Sequence, residues 1–323
     1  MKVHWMRYLI GDAGNLQRMY LAVKTASENG VENLQTLCEI YLRKYRHLTT
    51  EGSRKRGLMK SEWRSAEPHF SLARELDLLE WRERERWRMT FGAGRTYLSL
   101  CDNNSNSVPM SLLLHQLMTY DRTFTVPFLI RLVEADYDFV AGKFVGLEKY
   151  VRQVWEEIWE IHGRELQNME PPLPKPPKKE NRTLLHHGMA RVRFLNKREG
   201  LHLNIDRLNK LAHQFHGFED SDEMPPDSFF RIGTAISGRE PSKMNETEIT
   251  ESILLAFYSL QRADHASGYG IYLYVNEKAL PEKAVDWKTF TAHLRKGYPF
   301  STRTSFRRDD YLVTVESRRE LAE

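Results

Sequence analysis

The chain has 323 residues, 41% hydrophobic and 28% charged, which is long enough for several buried cores and too apolar for a disordered protein. Its formal net charge is only +4, so any nucleic-acid surface has to come from clustered cations rather than from their total. The two cysteines, Cys38 and Cys101, form no CxxC pair, which argues against a thiolate metal site and against a disulfide framework.

No run approaches the ~18 apolar residues that span a bilayer, and no apolar leader segment follows Met1 to Arg7. The expected setting is cytoplasmic, with no membrane partner.

Along the chain, Asn15–Ser27 and Glu32–Arg46 carry apolar residues at helical spacing, and Asn29-Gly30 ends the first of them. A basic loop follows with Arg54, Lys55, Arg56, Lys60 and Arg64. Glu67–Leu79 reads as an amphipathic helix, Glu80–Phe91 as a tight hairpin and Gly92–Leu100 as a second helix. After a polar connector at Asp102–Pro109, two short apolar helices are predicted at Ser111–Thr119 and Thr125–Ala135, with Pro127 tolerated in a first turn. Lys143–His162 reads as a longer helix with a wide apolar stripe. Glu170–Lys179 is dense in proline and reads as a semi-rigid spacer.

Beyond the spacer, Asn181–Val192 reads as a helix, Leu201–Asn204 as a short strand and Ile205–His213 as a helix. Glu219–Asp227 is an acidic break. Three further elements are expected: a helix at Glu248–Arg262 capped by Asn245 or Thr247, a strand at Gly270–Val275 and a helix at Trp287–Arg295. A hairpin at Ser301–Phe306 and Tyr311–Val315 closes the pattern.

The sequence therefore predicts a mainly α chain with short β-hairpins, an α+β fold. Residues 1–102 form a first module, 108–168 a helical connector, 169–179 the linker, 180–218 a second module and 228–323 a third.

The stretch Leu72–Glu80, the hairpin and Met89–Arg95 resemble winged-helix DNA-binding domains, with Asp77 where that pattern has glycine. The resemblance implies a helix that enters a groove and a wing that touches the backbone. It extends to residues 180–218 and, as one of two readings beside a small α/β module, to 228–323, giving tandem winged-helix modules. The pairing of Met89–Tyr120 with Arg191–Leu208 is similar to the tandem recognition regions of type IIS restriction endonucleases and nickases. No PD…(D/E)xK spacing accompanies it, so the resemblance implies recognition without cleavage, as a subunit of a defence, restriction-type or transcription-regulating system.

The residues expected at DNA follow from charge and position. Arg54, Lys55, Arg56, Lys60 and Arg64 neutralise phosphates. His69 and Arg74 reach base edges from the helix. Arg82, Arg84, Arg86 and Arg88 alternate with Glu83 and Glu85 across the wing. Arg191, Arg193, Lys197 and Arg198 repeat the pattern in the second module, and Arg303, Arg307 and Arg308 in the third.

His213-Gln214-Phe215-His216 and the pair His186-His187 lack the further ligands that zinc needs, so neither a metal nor a cofactor is expected. Phosphate-loop, nucleophile-elbow and kinase patterns are missing, and the chain reads as a binder rather than an enzyme. The expected partner is double-stranded DNA. The alternative is a protein-interaction scaffold of the same fold, holding other protein subunits.

Overall fold

A computed structural model describes residues 3–10, 15–29, 33–45, 62–82, 86–103, 108–137, 146–169, 172–195, 201–225, 227–304 and 310–316. Among them are thirteen α-helices and a few short strands. The chain divides into two compact units, each assembled from two separate stretches: Met1–Arg88 with Gln116–Met224, and Met89–His115 with Pro225–Glu323.

In the first unit, α1 (Leu16–Asn29), α2 (Leu34–Lys44) and α3 (Glu67–Glu75) pack on one another. Asn33 caps α2 by accepting the N–H of Thr36. The hairpin β1 (Leu79–Arg82) and β2 (Arg86–Met89) follows α3 as its own two-stranded sheet. Asp77 makes the turn between them with φ of 57°, a left-handed conformation that glycine favours and aspartate tolerates.

The rest of this unit is α6 (Arg122–Glu134), α7 (Leu147–Asn168), α8 (Arg182–Leu195) and α9 (Ile205–Phe215). Helix α6 packs on α7 and α9, and α7 on α8. The N-terminal segment runs through this core with Val3, His4, Trp5, Met6 and Leu9 buried. Its backbone N–H groups are met by side chains: Thr123 for His4, Asp121 for Met6, and both oxygens of Glu75 for Arg7 and Tyr8.

The second unit is built on α4 (Ala93–Asn103), the start of α5 (Met110–Tyr120), α10 (Ser228–Ser237), α11 (Glu246–Leu260), α12 (Gly268–Ala279) and α13 (Trp287–Leu294). β3 (Ser242–Lys243) and β5 (Lys283–Ala284) pair in parallel, while β4 (Ala266–Ser267), β6 (Phe300–Thr304) and β7 (Tyr311–Val315) form an antiparallel sheet in the order β4-β7-β6. Helix α12 is central and buries every residue from Ile271 to Asn276. It touches α4 closely enough that Thr96 donates to the Gly270 carbonyl at 3.0 Å.

Several sequence expectations change here. Gly270–Val275 is helix α12, not a strand. A helix buried on all sides shows no 3.6-residue period, so its Ile, Tyr and Val run imitates a strand. Leu201–Asn204 forms no strand, and His202 within it has a left-handed φ of 56°. Leu201 and Leu203 instead donate to the Phe194 and Leu195 carbonyls at the end of α8, using groups a helix terminus leaves open. Pro127 lies inside α6 rather than in its first turn. Helix α10 has no counterpart in the sequence reading. The described part of the proline-rich stretch, 172–179, lies within the first unit, where Leu173 is buried and its N–H donates to the Leu166 carbonyl. No helix among the described residues is long and apolar enough to cross a membrane.

Candidate nucleic-acid interface

Helix α3 does not offer the groove-entering face expected of it. His69, Phe70, Ser71, Leu72 and Ala73 are buried in succession, which covers all sides of a nine-residue helix. His69 is thereby removed from the set that reaches base edges. Arg74 is half-buried, with its guanidinium 5.5 Å from the Trp87 ring. Arg88 pairs with Glu80 at 2.8 Å, and Arg64 is exposed on a 3-10 turn at Glu62–Ser65. Arg54, Lys55, Arg56, Lys60 and Arg84 lie outside the described residues, as do the side chains of Arg82 and Arg86 on the hairpin.

The second-module cluster also changes. Arg191 is fully buried and forms a two-point ion pair with Asp121, Nη2 at 2.7 Å and Nε at 2.9 Å. It also donates to the carbonyls of Met6, Leu9 and His187. This guanidinium is spent on the core and cannot contact DNA. Arg193 is half-buried, while Lys197 and Arg198 lie outside the described residues.

An outward basic face occurs instead on α13. Asp286 caps this helix, accepting the Thr289 N–H at 2.8 Å and its hydroxyl at 2.7 Å. Phe290 and Leu294 point inward and are buried, Phe290 stacking on Trp287 at 5.7 Å and packing against Tyr272 at 5.4 Å. Lys288, Thr289, Ala292, Arg295 and Lys296 are exposed, so the helix is sharply two-faced.

Two of those cations are positioned by neighbours. Lys296 pairs with Glu246 at 2.6 Å, and Arg295 bonds the Tyr311 hydroxyl on β7. Such exposed pairs contribute little to stability and leave the charge at the surface.

The hairpin following α13 is held in register from Phe300↔Val315 to Thr304↔Tyr311, and Arg303 stands exposed on β6. Arg307 and Arg308, in the connection between the strands, lie outside the described residues. The turn end of the hairpin, beside the Thr304↔Tyr311 pair, is tied to the start of α12 by buried Asp310, which accepts from the Ser267 hydroxyl at 2.8 Å and the Tyr269 N–H at 2.9 Å.

Sequence reasoning found α13 as a helix but missed Lys288, Arg295 and Lys296 as one face. The signal was present: positions 288, 292, 295 and 296 recur at four, seven and eight residues, opposite Phe290 and Leu294.

The buried polar groups of this unit serve its core. His115 stacks on Phe229 at 4.6 Å and shares a hydrogen bond with Ser228 at 3.1 Å, and burial pushes its imidazole down to about 3. Ser228 is buried as well, so the pair is closed to solvent. Glu277 accepts the Leu112 N–H at 2.7 Å, and burial raises its carboxyl to about 7. No group of three or more metal-ligating side chains occurs among the described residues.

Set against known protein families, curated proteins and solved structures, the chain matches none of them.

Proposed function

We propose that the protein binds double-stranded DNA through residues 246–315, arranged as a winged helix with α13 in the major groove and the β6–β7 hairpin along the backbone. The observation that carries this reading is the succession α11-β4-α12-β5-α13-β6-β7, in which β5 pairs with β3 and the other strands form the sheet β4-β7-β6, with the cations of α13 turned outward. Lys288, Arg295 and Arg303 would neutralise phosphates, and Thr289 offers a hydroxyl to base edges. On this reading the tandem arrangement is unequal. Residues 67–89 supply a helix and hairpin whose helix is a scaffold, and the reading face belongs to the second unit.

Fluorescence anisotropy with a random-sequence duplex tests this. A Lys288→Glu/Arg295→Glu/Arg303→Glu variant should lose most of its affinity, while Arg64→Glu should bind like the parent. Unchanged binding in the triple variant removes α13 from the interface. A loss confined to Arg64→Glu returns the interface to the first unit.

A further inference from the structure

The proline-rich segment is a strap with two unlike sides. It leads from α7 to α8, two helices that pack on one another. Leu173 pins its start, buried and donating its N–H to the Leu166 carbonyl near the end of α7. Asn181 fixes its end by accepting the Leu184 N–H at 3.1 Å in the first turn of α8. Between these points Pro174, Pro176 and Pro177 restrict the backbone, so the strap is ordered before any ligand arrives.

The outward side is cationic. Lys175, Lys178, Lys179 and Arg182 are all exposed, and Glu180 is the one acid from Pro172 to Arg182. Arg182 donates to the His186 ring at 3.3 Å, a neutral contact that leaves its charge in place. Among the described residues no ion pair engages any of the four cations, whereas Lys44, Lys283 and Lys296 each have a carboxylate partner. Like charges held together with so little compensation create a local positive field that attracts a polyanion.

We infer that this strap is a second phosphate-binding surface, holding the backbone of duplex DNA. The cations are spread along the chain, which suits a row of phosphates better than a single small anion. Lysine is a point charge with rotatable donors, fitted to positioning on the backbone rather than to reading bases. A run such as Pro174-Lys175-Pro176-Pro177 can also enter an aromatic groove on a partner protein, but that mode uses the proline edge. Here Leu173 is buried and Pro176 and Pro177 are half-buried, so the fold covers that edge and leaves the lysines outside.

The salt dependence of affinity for a random-sequence duplex tests this in the full chain. Lys175→Gln/Lys178→Gln/Lys179→Gln should bind roughly tenfold or more weakly, with a slope shallower by about 2 to 3, at 0.9 for each phosphate released. Arg43→Gln/Lys149→Gln/Lys210→Gln removes the same charge from other exposed positions of this unit and should keep the parent's slope. Both variants should keep the parent's circular dichroism spectrum. The strap variant should act equally in the Lys288→Gln/Arg303→Gln background, so the strap and α13 stand or fall separately. A strap variant with the slope of the parent, or a control variant that loses as much, overturns the inference. So does a parent that binds phosphatidylserine vesicles and no duplex.

Discussion

Asp121 and Arg191 meet at 2.7 Å with neither side chain exposed, the first at the entrance of α6 and the second near the end of α8. Their contact joins the two helices to the N-terminal segment, since Asp121 also accepts the Met6 N–H and the Thr125 hydroxyl. The guanidinium lies 4.0 Å from the Phe124 ring. A pair this dry gains little over an apolar substitute, but removing one member strands the other. Arg191→Met should therefore lower the unfolding free energy by about 3–5 kcal/mol in urea titration. A loss below about 1 kcal/mol would mean the pair is solvated.

The buried titratable groups set an acid profile in two parts. Burial pushes His115 and His187 down to about 3 from 6.5, His187 with further help from the neighbouring Arg191 charge. Each is neutral in the fold and charges more readily when unfolded, so its contribution is present above pH 6.5 and is lost as pH falls toward 3. Burial raises Glu75 and Glu277 to about 7 from 4.5, against the N–H groups they accept. The folded state binds those protons more tightly, so stability rises as pH falls from 7 to 4.5.

The two effects oppose one another between pH 4.5 and 6.5, and of these four groups the histidines alone act below 4.5. Urea unfolding at stepped pH should show the steep loss below 4.5, made shallower in His115→Gln. An identical acid limb in that variant would contradict the buried, neutral imidazole.

Two helical glycines should respond in opposite ways to alanine. A Cβ at Gly233 would lie 2.3 Å from Pro241 Cγ and 2.6 Å from Leu280 Cδ2. The ring and the leucine have to move, and Gly233→Ala should cost about 1–3 kcal/mol. At Gly163, inside α7, the nearest atom is Trp159 Nε1 at 3.4 Å, an ordinary contact. Gly163→Ala should add about 0.5–1 kcal/mol by narrowing the unfolded ensemble. Thermal melts of both variants give the signs directly.

Much of the fold is legible in local pattern, and what is lost is specific. The hairpin at 79–89, the helices α1 to α9 and the final hairpin follow periodicity and turn residues that act over a few positions. The central helix α12 does not, because burial on every side removes the contrast on which period depends.

Arg191 shows the same limit for sites. Beside Arg193, Lys197 and Arg198 it reads as part of a basic cluster, but on a helix it falls on the face of Leu184, His187, Gly188 and Leu195. Its acidic partner is 70 residues away. In α13 the information was local, in the spacing of Phe290 and Leu294 against Lys288, Arg295 and Lys296, and the fold adds that the cationic face is the exposed one.

The most direct test of DNA binding through α13 is the salt dependence of affinity for a random-sequence duplex, comparing the parent with Lys288→Gln/Arg303→Gln. The logarithm of the association constant falls with the logarithm of salt by roughly 0.9 for each phosphate neutralised. If both side chains touch phosphates, the variant should bind more weakly and its slope should be shallower by about 2. Equal slopes for parent and variant would contradict the account, placing the DNA-binding face, if there is one, away from α13 and its hairpin.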